Sequence, residues 1–392
     1  MTLLLSRRQA LAGSLLALPL LSSRSARAQP AQPTLQQAVD AAVMPLMQAH
    51  DLPGMAVAVT IGGKRSFFNY GVASRESGQK VDKDTLFELG SLSKTFTAIL
   101  GGWAQARGAL AFGDKASHHW PALAGSSFDK ISLIELGTYT AGGLPLQFPA
   151  GVNDEASMLG YFRSWRPAFA PGTRRLYSNP SIGLFGYLAA RSLGQPFDTL
   201  MQGTIFPGLG LKRVFITVPA AEMESYAWGY AKGNKSIRVG PGALDSEAYG
   251  VKISAAEMAH YLEAVMGGAG LDDDFRHAIA ATQSGYHRVG GMAQGLGWEM
   301  YDDPVSLDQL LAGNSADMAR NANTVAPLDP PLAAGRPLLA NKTGSTNGFG
   351  AYAAFLPAKG LGVAMLANRS YPNEARVTAA YAILSALEKG SG

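Results

Sequence analysis

Apolar residues recur at helical spacing from Thr34 to His50, which predicts an amphipathic helix there. The next two segments change period. Met55 to Ile61 and Ser66 to Val72 are rich in β-branched and aromatic residues and flank Gly62-Gly63, the pattern of a strand hairpin. From Ser91 to about residue 285 the patterning is mostly helical, broken by Gly/Pro-rich loops at Ala141 to Gly151 and Gly240 to Gly250. Short strands return after His287. Leu338 to Lys342, Ala351 to Leu356 and Gly362 to Leu366 then read as consecutive strands, and Glu374 to Leu387 as a closing helix. This order predicts a single antiparallel sheet built from both ends of the chain and covered by helices, with a helical lobe inserted between the two halves. The sheet part would comprise residues 29–90 and 286–392, and the lobe residues 91–285, with a large loop near 215–250. A functional groove is expected between the two.

The first 28 residues stand apart. Arg7-Arg8 precedes an apolar run from Ala10 to Leu21, and Ala26-Arg27-Ala28 supplies a small-x-small cleavage site. That is the pattern of an export signal, too short to span a bilayer. The paired arginines in Ser6-Arg-Arg-Gln9 resemble a twin-arginine signal, although many ordinary signals also carry two basic residues. The leader also owns the chain's charge. It holds four arginines and no acid, so of 33 basic residues 29 remain against 29 acidic ones. A neutral mature chain gives no electrostatic case for a nucleic-acid partner. The sequence has no cysteine, which excludes disulfides, thiol catalysis and a lipidated N-terminal cysteine. The expected product is an exported protein without a membrane anchor, periplasmic in a host with two membranes.

The chemistry concentrates on serine and lysine. Ser-x-x-Lys puts both side chains on one helix face, where an amine can take a proton from a hydroxyl. It occurs at Ser77/Lys80, Ser91/Lys94 and Ser127/Lys130. The first and third lie in polar, turn-rich stretches. Ser91 follows an apolar segment and a glycine, and opens a run of helix formers from Lys94 to Ala106. Backbone N–H groups at such a helix start favour a developing oxyanion. By itself the position equally suits a serine acting only as an N-cap. Two further motifs matter. Tyr177-Ser178-Asn179 offers a phenol that nearby ammonium groups would favour as phenolate, and hence as a general base. Lys342-Thr343-Gly344 lies at the end of a predicted strand, where a glycine allows close backbone approach. Each has a plain structural reading: a packed aromatic for Tyr177, and a strand end followed by a turn for Lys342-Thr343-Gly344.

Taken together and in this order, the three motifs resemble those of the penicillin-recognising serine enzymes, and most closely the class C β-lactamases, the cephalosporinases. The likeness covers nearly the whole mature sequence. It includes Thr140 to Gln147, Tyr226 to Tyr230, Pro241 to Asp245, Gly295 to Glu299, Lys342 to Gly350 and Met365 to Arg376. The resemblance implies the α/β (α+β) fold of β-lactamases and penicillin-binding-protein transpeptidases. It also implies an acyl-enzyme hydrolase for cephalosporins and penicillins, conferring resistance to them. Ser91 matches the nucleophile, Lys94 and Tyr177 the proton-transfer pair, and the backbone N–H groups of Ser91 and Ser345 the oxyanion hole. Gln147 and Asn179 match the groups that hold the substrate's acylamino side chain. Lys342, Thr343, Gly344, Asn373 and Arg376 match the region receiving the substrate carboxylate, and Tyr249 matches an aromatic wall. Ser178 stands where the family often has alanine, and Ser370 where asparagine is usual. No cofactor is implied, and a monomer is the family expectation.

Competing chemistries find little support. His50, His118, His119, His260, His277 and His287 show no metal-ligand spacing, so no metal site is expected. There is no Gly-x-Ser-x-Gly elbow. Open alternatives within the same fold are a D-alanyl-D-alanine carboxypeptidase or an esterase, and outside enzymology a non-catalytic β-lactam-binding sensor.

Overall fold

The computed structural model describes residues 34–390, so the predicted leader lies outside the described residues. Nine antiparallel strands form one sheet. In chain order they are β1 (Gly54–Ile61), β2 (Lys64–Gly71), β3 (Gly285–Val289), β4 (Met292–Gln294), β5 (Glu299–Asp302), β6 (Ala326–Leu332), β7 (Leu338–Ser345), β8 (Gly350–Leu356) and β9 (Leu361–Ala367). In space they run β6-β3-β4-β5-β7-β8-β9-β1-β2, so the hairpin from the start of the chain continues the sheet made by its end. The register places Val57 between Met365 and Phe68, and Lys342 opposite Ala353.

Period-two alternation splits the central strands between two cores. Met55, Val57 and Val59 of β1 and Val363, Met365 and Ala367 of β9 face one side. There they meet Val39 and Val43 of helix α1 (Leu35–Ala49) and Val377, Ala380 and Ile383 of the closing helix Asn373–Gly390. Ala56 and Ala58, with Ala364 and Leu366, face the other side. They meet Phe96 and Ile99 of α2 (Lys94–Ala106) and Met258 and Leu262 of the helix Ala255–Val265. Burial on both faces explains why these strands read as nearly continuous apolar runs. The edges are blunted differently. β2 carries Lys64, Arg65 and Asn69, and β6 carries Pro327, Pro330 and Pro331 with a register shift, which suits an edge strand.

Two details differ from the sequence reading. The stretch from Ser91 to about residue 285 is helical in its longer pieces, but strands of two residues recur within it. Val214–Phe215, Lys252–Ile253 and Phe87–Glu88 form a small sheet, and Arg174–Arg175 pairs with Asn323–Thr324. Strands this short carry no visible period. The strand after Leu338 runs on through Lys342-Thr343-Gly344 to Ser345, because β8 pairs with it residue by residue as far as Ser345 opposite Gly350. Among the described residues, no helix is long and apolar enough to cross a membrane.

Candidate active site

Ser91 lies in a 3₁₀ turn, Gly90–Ser93, immediately before α2. Its side chain caps no helix. Instead its Oγ accepts a hydrogen bond from Lys94 Nζ at 2.9 Å, and Lys94 also donates to the Ala248 carbonyl at 2.7 Å. Neither of the other two Ser-x-x-Lys pairs makes such a bond: Ser77 hydrogen-bonds within its own turn, and Ser127 donates to the Trp165 carbonyl.

Two glycines bring the Ser91 turn against β7. Gly90 has φ of +54°, and a Cβ there would stand 2.4 Å from the Ser345 nitrogen. A Cβ on Gly344 would stand 1.9 Å from the Leu89 carbonyl oxygen. Only bare backbone fits on both sides, so the Ser91 turn sits close against Ser345, and both residues line one cavity of about 150 Å³. Ser91, Tyr177, Lys342, Thr343, Gly344, Ser345 and Asn373 all line it.

Tyr177 is the electrostatic centre of this site. Lys94 Nζ lies 5.3 Å from its ring centre, Lys342 Nζ 5.0 Å and the Arg175 guanidinium 5.5 Å. The phenol oxygen is buried and has no hydrogen bond of good geometry. Burial alone would push this phenol up. The ammonium groups of Lys342 and Lys94 outweigh it and hold Tyr177 below its ordinary value. Burial, aided by the charge of Lys342 and opposed by the Tyr177 oxygen, pushes the Lys94 ammonium down to about 8. Lys94 and Tyr177 are thus each moved towards the form that can accept a proton, and their titrations belong to the group as a whole.

Four residues that complete this site were missed by the motif search. Arg175 is 1% exposed and donates to Glu299 Oε1 at 2.9 Å, Gln294 Oε1 at 2.6 Å and the Met318 carbonyl at 2.8 Å. Glu299 also faces Lys342, at 3.8 Å, and is the carboxylate that balances the buried cations. Tyr139, at a left-handed φ of +62°, packs its ring 4.7 Å from that of Tyr177. A non-glycine residue in that conformation costs roughly 1–2 kcal/mol, which the surrounding packing must offset. Asn314 links the network outward, donating to Asn341, which in turn donates to the Glu299 carbonyl. Arg175 stands two places before Tyr177, and Glu299 ends the Gly295–Glu299 segment. Neither is a recognisable motif until the fold buries it.

The β-lactamase family model matches residues 39–388. A β-lactamase of Pseudomonas fluorescens is 57% identical over 355 residues, covering 91% of this chain and 99% of its own. The chain belongs to the β-lactamase family. Among solved structures, a class C β-lactamase in complex with cefoxitin matches with a TM-score of 0.87 at 45% identity, covering 90% of this chain and 98% of its own. A β-lactamase/D-alanine carboxypeptidase from Pseudomonas syringae gives a TM-score of 0.88 at 46% identity, with the same coverages. The protein is a hydrolase, a class C serine β-lactamase with the fold of that group.

The remaining expected residues of the β-lactamase fall into two groups. Asn179 is buried at the start of helix α3 (Asn179–Ser192), with its Oδ1 unpartnered, and its N–H donates to the Leu146 carbonyl. That bond fixes the loop carrying the exposed Gln147 beside it. Ser178, the unusual middle residue of its motif, is the N-cap of α3 and accepts from the Ser181 N–H at 3.0 Å. Tyr249 ends the short helix α4 (Asp245–Tyr249), half-buried and outside the cavity lining. Arg376 does not reach the cavity at all. It is 1% exposed, and its guanidinium donates to the carbonyls of Gly344, Ala351 and Tyr371 and towards Ser370 Oγ. It braces the strand that carries Ser345 from behind, whereas Asn373 lines the cavity directly.

Proposed function

We propose that Ser91 is the acylated nucleophile of an exported, periplasmic β-lactamase acting on cephalosporins and penicillins. The observation that carries this reading is the 2.9 Å bond from Lys94 Nζ to Ser91 Oγ, in a pocket where a second ammonium and a buried phenol converge. Lys94 and Tyr177 relay the serine proton as Ser91 Oγ attacks the lactam carbonyl, and the proton then passes to the departing lactam nitrogen. The Ser91 and Ser345 amides receive the negative oxygen. Water activated beside Tyr177 releases the acyl group.

Substrate orientation follows from the rim. Asn179 and Gln147 hold the acylamino side chain, and Tyr249 forms a wall beyond them. Lys342, Thr343 and Asn373 receive the substrate carboxylate. Arg376 acts on that carboxylate only through the backbone it braces, because its terminal nitrogens are held by the Gly344, Ala351 and Tyr371 carbonyls.

Similarity to the β-lactamase/D-alanine carboxypeptidase of Pseudomonas syringae keeps a second activity in view. Steady-state turnover of a cephalosporin, a D-alanyl-D-alanine peptide and a nitrophenyl ester separates the readings. Rapid cephalosporin hydrolysis, with slower peptide or ester cleavage, is expected. Acylation by the cephalosporin without release would transfer the assignment to a carboxypeptidase.

A further inference from the structure

A second cleft, of about 630 Å³, opens among α3, α4 and the starts of the helices Glu155–Ser164 and Phe197–Leu200. The catalytic residues do not line it. At its floor is Glu247, 6% exposed, whose carboxyl has no hydrogen bond from any other described residue. Its own backbone N–H bonds it, but no cation pairs with it among the described residues, and a carboxyl this deep without a counter-charge is costly. Gly186 of α3 makes room for it, since a Cβ there would stand 3.1 Å from Glu247 Cγ.

The charges around this floor have one sign in excess. Glu155 and Asp198 stand at the rim, and Asp245 acts on Glu247 from its own helix. The one cation in the lining, Arg191, forms no ion pair with these carboxylates, and Lys252, outside the lining, acts on Asp198 and Asp245. Arg191 lies over the rings of Tyr187 and Trp120 at 5.5 and 5.8 Å and donates to Tyr187 Oη and the His119 carbonyl. The walls between the carboxylates are Tyr187, Ala190, Pro196 and Phe197, which suit a short alkyl chain. Among the described residues, no group of three His, Asp or Glu side chains is placed to hold a metal ion.

We propose that this cleft is a binding site for a small organic cation carrying primary amines, one ammonium pairing with Glu247 and the other with Asp198 or Glu155 at the rim. Burial pushes the Glu247 carboxyl up to about 8 against the bond from its own backbone N–H, and Asp198 and Asp245 add to the rise. Binding of an ammonium therefore competes with a proton and strengthens as pH rises through that value. The site also touches the catalytic apparatus through backbone alone. The carbonyl of Glu247 accepts from Thr97 Oγ1 at 2.6 Å, next to the Ala248 carbonyl that holds Lys94.

The test is calorimetric titration of the whole enzyme with butane-1,4-diamine at pH 8.5 and fixed ionic strength. One diamine per chain is expected to bind saturably, about tenfold more weakly at pH 6.5. Glu247→Gln should weaken binding at pH 8.5 by about tenfold or more and remove the pH dependence. If that variant does not fold, Asp198→Asn at the exposed rim should still weaken binding severalfold. Binding should be unchanged when the catalytic groove is filled by a slowly released β-lactam. No saturable binding, unchanged affinity in the variants, or displacement of the diamine by the lactam would each overturn the proposal.

Discussion

Replacing Lys94 by glutamine should stop turnover and at the same time stabilise the protein. Lys94 is wholly buried, and its ammonium is pushed from an ordinary 10.5 to about 8, chiefly by burial. That gap corresponds to about 3 kcal/mol of unfavourable free energy whenever the buried lysine is charged. The amide of glutamine keeps a donor for the Ala248 carbonyl but loses the charge-assisted bond to Ser91, which returns part of the gain. A net stabilisation of about 1–2 kcal/mol at pH 7 is expected. The pH dependence has a definite sign. Below about 8 the lysine is charged in both folded and unfolded chains, so the folded state carries the full penalty. Between about 8 and 10.5 only the unfolded chain binds the proton, so wild-type stability rises with pH relative to the variant. The advantage of Lys94→Gln is therefore full below pH 8 and gone near pH 10.5. Thermal or urea unfolding of both proteins at pH 6, 7, 8.5 and 10 measures this difference directly. A variant less stable at every pH, or a gain undiminished at pH 10, would refute the electrostatic account of the site.

Three further substitutions test the same geometry. Gly90→Ala should lower kcat for a cephalosporin by about 10²–10³, because the new Cβ must displace the Ser345 backbone and with it an oxyanion donor; unchanged kcat would remove that amide from the mechanism. Glu299→Gln should destabilise the fold by about 3–5 kcal/mol by leaving Arg175 and Lys342 without their carboxylate, measurable by chemical unfolding. The same change should move the acid limb of the kcat–pH profile downward, since Glu299 opposes ionisation of Tyr177, and an upward shift would contradict it. Tyr177→Phe should lower kcat by about 10²–10⁴ with circular dichroism unchanged, and retention of wild-type kcat would remove the phenol from proton transfer.

The parts of the fold written in local periodicity could be read from the sequence. Val39 and Val43 mark the inner face of α1, and Met55, Val57 and Val59 mark one face of β1; both sets occupy one core. The proline-bearing edge strand β6 and the two-residue strands around Arg174, Val214 and Lys252 could not be read this way. Their pairing partners lie far away in sequence, and their own residues carry no period. At the site, Ser91, Tyr177 and Lys342 were findable because each sits in a spaced motif. Arg175, Glu299 and Tyr139 owe their roles to burial around the Tyr177 ring, a property no spacing encodes. Arg376 shows the converse: its place in the sequence pattern points to the substrate carboxylate, yet three carbonyls already hold its guanidinium.

The central claim is that Ser91 carries the acyl group. Intact-protein mass spectrometry after mixing with a slowly released β-lactam, followed by peptide mapping, tests it most directly. One added β-lactam mass per chain, mapped to the peptide containing Ser91 and absent from Ser91→Ala, is the predicted result. An adduct that survives in Ser91→Ala, or maps to another peptide, would contradict the account.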